Sequence, residues 1–405
     1  MPNPRPTLRF RDLTAARSHN VRKMHAPHDL FLTYNARGAF FQLLRSLSVA
    51  KRKLVMLPAF HCTALVEPVV QAGYMAQFYR VRRDLSVDFE DLARKMSQGV
   101  AAVVPIHYFG FPADISCFME IAGRYDSYVV EDCAHSFLTN DNGTYVGHQG
   151  HFSLFSYAKF APTLFGGGLG MNSSVFRPAL HAPTLSFRNH VVIAKRLLEQ
   201  ALTNSPNSVS RALLALENRR VAVRKSDSAS VPRAQFVDDP YLFREDLALA
   251  AMPWLSLKIL ESCDWETMIA GRRRNYMVLA EIVRDTENIH RLFPVLSEGV
   301  CPWVFPILMK DRALHEQELR RTGVPFFTFG EVLHPLLAKT EDVARNDAEW
   351  LSSRLLLLPV HSQLEEKSVQ DFAEVLNHFA ERRGRANVCS GRIGTMAVED
   401  EAPQV

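Results

Sequence analysis

Between residues 30 and 180, short apolar runs alternate with stretches of helical period, and this alternation constrains the fold more than any other feature. Leu54-Val55-Met56-Leu57 is an apolar run closed by Pro58, and Thr63 to Ala72 then reads as a helix that stops at Gly73. Ala76-Gln77-Phe78-Tyr79 is the next strand, followed by a helix over Phe89 to Met96 and a buried strand over Ala101 to Pro105. A helix over Asp114 to Tyr125 and a strand at Tyr128-Val129-Val130 continue the pattern. Upstream, Asn35 caps a helix running through Phe40, Leu43 and Leu44. Strand and helix in strict alternation require crossover connections, and hence a mainly parallel sheet. Such sheets place their ligands at the carboxyl ends of the strands.

Beyond residue 185 the pattern changes. The chain reads mostly helical to about 285, with a polar linker around Lys225 to Arg233. Trp303 to Met309, a helix from His315 to Arg321, Leu355 to Leu358 and a closing helix from Ser368 to Glu381 then describe a small α+β domain. The expected fold is therefore α/β, a large domain with a mainly parallel sheet plus a small C-terminal α+β domain. The expected division is an N-terminal arm over 1–29, a large domain over 30–290, the small domain over 291–384 and a disordered tail over 385–405.

Composition excludes several classes. With 47% hydrophobic and 22% charged residues the chain has the means to bury a core, so wholesale disorder is ruled out. The net charge of +4 is dispersed rather than striped, so no nucleic-acid partner is expected. Six cysteines without a C-x-x-C pair suggest neither a zinc ribbon nor a dithiol site, and no metal is expected. No apolar run approaches about twenty residues, so the expectation is a soluble, cytoplasmic protein with no membrane partner.

Two stretches carry chemistry. Glu131-Asp132-Cys133-Ala134-His135 follows directly on a buried strand, which puts an acidic pair at the ligand edge of the sheet. Asp132 there is either a turn or cap residue, or the partner of a protonated ring nitrogen. The second stretch, Phe152-Ser153-Leu154-Phe155-Ser156-Tyr157-Ala158-Lys159, places a lysine among aromatics, where desolvation favours a nucleophilic amine. Ser156, three residues earlier, offers a phosphate ligand beside it. A further anion site opens the first helix at Tyr34-Asn35-Ala36-Arg37-Gly38. Gly166-Gly167-Gly168 is not a dinucleotide fingerprint, because no helix follows, and reads as a tight turn. His107 and His334, each beside turn-forming residues, read as structural.

The order of these motifs resembles the fold type I pyridoxal-phosphate enzymes, and specifically the DegT/DnrJ/EryC1/StrS sugar aminotransferase family, through most of residues 30 to 380. Supporting stretches are Leu57-Pro58-Ala59-Phe60-His61-Cys62, Pro105-Ile106-His107-Tyr108-Phe109-Gly110-Phe111-Pro112-Ala113-Asp114, Arg273-Arg274-Asn275-Tyr276, His334-Pro335 and Leu358-Pro359-Val360-His361. The resemblance implies an aspartate-aminotransferase-like fold. It implies pyridoxal 5'-phosphate (PLP) as cofactor, with pyridoxamine 5'-phosphate as its aminated form.

Residue by residue, the resemblance implies that Lys159 bonds the cofactor and moves the proton, that Asp132 pairs with the pyridine nitrogen, and that His135 lies beside the phenolic oxygen. Ser156 is implied as phosphate ligand, helped by the backbone around Ala36 and Arg37. Three positions depart from the family pattern. The usual ring over the cofactor is Cys62 here, so stacking falls to His61 or is lost. Arg37 stands where Ser or Thr is usual, and Leu242 where an Asn would reach the partner subunit's cofactor.

The implied activity transfers an amino group from an amino acid, by analogy glutamate, to a keto group on a nucleotide-linked sugar, in a homodimer. The retained lysine speaks against the family's dehydratases, in which histidine replaces it. The alternatives are another fold type I enzyme, such as an amino-acid aminotransferase, lyase or desulfurase, or a non-catalytic regulatory relative.

Overall fold

The computed structural model describes residues 6–8, 29–47, 52–172, 176–203, 243–338 and 343–391. Its strands are β1 (Asp29–Thr33), β2 (Leu54–Pro58), β3 (Met75–Tyr79), β4 (Val100–Val103), β5 (Tyr128–Asp132), β6 (Asn140–Asp141), β7 (Thr144–Tyr145), β8 (Phe152–Ser156), β9 (Gly167–Met171), β10 (Ile289–Arg291), β11 (Val304–Met309) and β12 (Leu355–Pro359). The helices are α1 (Ala36–Ser46), α2 (Thr63–Gln71), α3 (Phe89–Lys95), α4 (Ile115–Gly123), α5 (Phe187–Thr203), α6 (Glu245–Ala248), α7 (Trp254–Glu261), α8 (Trp265–Ile282), α9 (Arg312–Arg321), α10 (Pro335–Ala338), α11 (Val343–Arg354) and α12 (Glu366–Gly391).

Seven strands form the main sheet in the order β1-β9-β8-β5-β4-β2-β3. The pairs β2·β3, β2·β4, β4·β5 and β5·β8 are parallel, and β9 runs antiparallel to both β8 and β1. The parallel strands are covered on both faces, which is why β2 and β4 read as continuous apolar runs. The crossover helices start where the sequence supplies caps: Asp88 accepts from the Asp91 N–H and Asp114 from the Cys117 N–H. Strand order turns back between β2 and β4, a switch point of the kind at which open sheets take ligands at their carboxyl ends.

The mainly parallel sheet agrees with the sequence reading. The three glycines differ from it. Gly166 has a φ of 147°, but Gly167 and Gly168 lie inside β9. A Cβ on Gly167 would overlap the backbone of Asn35 and Ala36, so its absence lets β9 press against the start of α1. The Tyr157 N–H donates to Gly166 O and the Gly166 N–H to Tyr34 O, joining the lysine turn to that helix start.

A second, three-stranded antiparallel sheet, β10-β11-β12, packs with α8 and α12 around a core that includes Tyr276, Phe305, Ile307, Leu358 and Phe372. Helix α12 runs on to Gly391, past the start of the expected tail. The linker read over Lys225 to Arg233 and the tail beyond 391 lie outside the described residues.

Candidate active site

Asp132 ends β5. Its N–H donates to Pro105 O at 2.8 Å, and its Oδ1 accepts from the Ala134 N–H at 2.9 Å. As a whole the residue is half-buried at the carboxyl end of the sheet, with its carboxyl packed deep. Burial pushes its pKa above the ordinary carboxylate value, against the opposing pull of the Lys159 charge and the Ala134 N–H. A carboxylate in that position favours a cation beside it.

Glu131, on the other face of the same strand, is fully buried and differently served. Its Oε2 accepts from the Gly147 N–H at 2.9 Å and pairs with His107 Nε2 at 3.0 Å, while Oε1 accepts from the N–H groups of Gln149 and Gly150. Burial alone would raise its pKa, but His107 and these N–H groups outweigh it and the pKa falls below the ordinary value. The Ala113 N–H donates to His107 Nδ1, so the His107 proton sits on Nε2 and points at Glu131. Among the described residues His107, Glu131 and Cys133 could bring ligand atoms within 4.8 Å of one another. Both ring nitrogens of His107 and both Glu131 oxygens are already engaged, and burial together with Glu131 and Asp132 pushes the Cys133 thiol well above its ordinary pKa. The cluster braces the back of the site.

Lys159 closes a one-turn helix, Tyr157–Lys159, directly after β8, the strand that pairs with β5. Its Nζ lies over the indole of Trp303, 5.1 Å from the ring centroid. The same indole stacks on His135, with centroids 4.2 Å apart and planes 18° apart, and Phe109 stacks on His135 from 5.5 Å. Burial and the Lys159 charge hold the His135 pKa well below 6.5, so the imidazole is neutral. No hydrogen-bond partner reaches its Nδ1 among the described residues. Ser156, the last residue of β8, is half-buried like Lys159.

At the first helix, Asn35 Oδ1 caps α1 by accepting from the Gly38 N–H at 2.8 Å, and Ala36 and Arg37 form its first turn, both half-buried. Cys62 is half-buried at the start of α2 and makes no capping bond. The structure thus gathers Ala36, Arg37, Asp132, His135, Ser156 and Lys159 at the same end of the sheet.

His61 is placed elsewhere, which corrects the expectation that it supplies a stacking ring. It has no exposed surface, its plane lies 9° from that of Phe78 at 5.1 Å, and its Nδ1 pairs with Pro58 O. Burial takes its pKa down to about 4. Its aromatic face is already covered. Leu242 lies outside the described residues, and the Arg244 guanidinium bridges to Asp246 at 2.6 Å. His334 faces Glu67 at 3.3 Å.

Sequence reasoning missed the aromatic wall. Trp303 reaches the lysine from the chain entering β11, far away in sequence. Phe109 adopts a left-handed backbone (φ 59°, ψ 15°), an uncommon conformation for a bulky residue that turns its ring toward His135. Phe329 meets Phe109 and His135 edge-on. The signal was an aromatic bias in Tyr108-Phe109 and Phe326-Phe327 without any indication of where the rings converge.

The sequence model of the DegT/DnrJ/EryC1/StrS aminotransferase family matches residues 23–197. A GDP-perosamine synthase of Vibrio cholerae is 31% identical over 124 residues, 30% of this chain and 34% of that protein. A UDP-N-acetyl-3-dehydro-alpha-D-glucosamine 3-aminotransferase of Acidithiobacillus ferrooxidans is 29% identical over 29% of this chain and 32% of that protein. The matches thus span about a third of the length of these curated relatives. The solved structure of PseC from Helicobacter pylori, an aminotransferase involved in the biosynthesis of pseudoaminic acid, shares the fold with a TM-score of 0.64 at 15% identity, over 89% of each chain. The stretch that matches the DegT/DnrJ/EryC1/StrS aminotransferase family model, residues 23–197, is the one that positions Asp132 and Lys159.

Proposed function

We propose that the protein is a PLP-dependent aminotransferase that moves an amino group from an amino acid, glutamate first among the candidates, to a keto group on a nucleotide-linked sugar, and that it works as a homodimer. The observation that carries this reading is the placement of Asp132 and Lys159 on the adjoining ends of β5 and β8, close enough for the lysine charge to steady the carboxylate. The names of the curated relatives, both enzymes of nucleotide-linked sugars, support the substrate class.

The residues fit this cofactor. The buried Asp132 carboxyl favours a cation, which a protonated pyridine nitrogen supplies, and the opening turn of α1 beside β9 offers backbone N–H groups to a phosphate. When bound, PLP contributes a conjugated ring that accepts the electron pair released when a Cα–H bond ionises. Asp132 holds the ring-nitrogen proton. The amine of Lys159 takes and returns the proton at the reacting carbon. His135, neutral beside Trp303, offers a hydrogen bond without competing for the proton, and Ser156 with Ala36 and Arg37 anchors the phosphate. Cys133 is buried with its thiol pKa raised, so it is ill suited to sulfur transfer.

Borohydride reduction of the PLP-loaded protein followed by peptide mapping tests the assignment, and a cofactor attached to any lysine but Lys159 overturns it. Incubation with glutamate and a panel of nucleotide-linked keto sugars, against free keto acids, tests the substrate class. Amination of the free acids alone would replace it with an amino-acid aminotransferase.

A further inference from the structure

Arg272, on α8, has 1% of its surface exposed and faces no carboxylate within ion-pair distance among the described residues. Burial brings its pKa down to about 10, which leaves it charged at neutral pH. A buried cation of this kind is costly unless its donors are used. Its hydrogen bonds go to backbone carbonyls of two distant segments: Nη1 donates to Trp303 O at 3.0 Å and Pro302 O at 3.4 Å, and Nη2 donates to Phe160 O at 3.4 Å. The guanidinium also lies over the Phe160 ring, 4.7 Å from its centroid.

These two segments carry the two partners of the lysine contact. Phe160 follows Lys159 directly, and Trp303 is the indole over the lysine Nζ. Trp303 is fixed from its other side as well, since its N–H donates to Phe109 O at 2.8 Å. We propose that Arg272 is a positioning residue that locks the Lys159 turn to Trp303, so that the indole holds the lysine amine in place beside His135. The planar fork is what the task requires, because it reaches carbonyls on both segments while its face stays on Phe160, and a lysine ammonium can do only one of these. This inference rests on the reading of Lys159 as the reactive lysine.

The test measures the amine itself. Full-length protein freed of cofactor is treated with trinitrobenzenesulfonate, and Lys159 labelling is read by peptide mapping against the other lysines. An indole over an ammonium favours its charged, unreactive form, so Arg272→Lys is expected to label Lys159 roughly three- to tenfold faster. Asn275→Ala is the structural control. That buried residue of the same helix donates to the Val360 and His361 carbonyls and makes no hydrogen bond to either segment among the described residues, so Lys159 labelling is expected to stay at the wild-type rate. Equal labelling in a folded Arg272→Lys variant and wild type overturns the proposal, as does equal acceleration in both variants. Should Arg272→Lys not fold, Phe160→Leu removes the ring beneath the guanidinium, and unchanged labelling there is equally fatal. PLP and borohydride applied to the wild type in parallel separate the two ideas: attachment to another lysine ends the functional reading and leaves the labelling comparison intact.

Discussion

Glu131 and Asp132 are neighbours on β5 and their carboxyls are pushed in opposite directions, Glu131 below the ordinary pKa and Asp132 above it. The pleat sends them to opposite faces. One meets three backbone N–H groups and His107; the other meets burial with little compensation. The first carboxylate therefore braces the fold, and the second is held ready for a charged ligand.

Asp132→Asn should separate activity from stability. Transamination is expected to fall by roughly 10²–10³-fold, the scale of losing a preorganised charge. The cofactor-free variant should melt higher than wild type at pH 7. A folded-state pKa raised above the unfolded value means that wild-type stability declines as pH rises through the folded pKa, and the amide escapes that decline. Thermal melts across pH 4 to 8 check it, and a variant less stable than wild type throughout would contradict the assignment of strain to this carboxyl.

Glu131→Gln should do the reverse. It replaces an acceptor oxygen with an NH₂ that faces backbone donors, at a cost of about 3 kcal/mol in chemical denaturation. Because the folded pKa of Glu131 is depressed, its contribution is present above the unfolded value of 4.5 and is lost as pH falls through the folded value. The gap between wild type and variant should therefore narrow on acidification.

Gly167→Ala tests the junction between β9 and α1. Its methyl has no room beside Asn35 and Ala36, so about 1–3 kcal/mol of destabilisation is expected. Equilibrium dialysis should show weaker PLP retention, because the helix start moves. Gly143→Ala, where a Cβ meets nothing within 4 Å but the backbone has positive φ, supplies a control that leaves PLP retention unchanged.

Thiol titration with a disulfide reagent at pH 8 should spare Cys133. Its buried thiol, beside two carboxylates, is expected to react only on unfolding, whereas half-buried Cys62 and Cys117 react in the folded protein. Rapid loss of Cys133 would reopen sulfur chemistry at this site.

Much of this was legible in the sequence because parallel strands buried on both faces announce themselves as apolar runs. Leu54 to Leu57 and Tyr128 to Val130 are examples, and the helical stretches Phe89 to Met96 and Asp114 to Tyr125 were read between them. Strand β9 escaped because Gly167-Gly168-Leu169-Gly170-Met171 has poor strand propensity, and its fit against α1, Tyr157 and Ser153 explains the glycines. His61 was misplaced because it lies in the irregular turn between β2 and α2, where no strand or helix period says which side a ring takes, and the turn stacks it on Phe78. Trp303 meets Lys159, and Arg272 meets Phe160, across more than a hundred residues, a pairing that no local pattern encodes.

Strand β9 runs against its neighbours and begins soon after the lysine turn, so the chain between Ser156 and Gly167 is a short tether pinned at both ends in one sheet. Such a tether has little slack. The reach of the Lys159 amine is therefore governed by its own side-chain torsions, and a shorter amine placed at residue 159 could not be carried forward by the loop. The lysine behaves as an arm of fixed length on a fixed pivot.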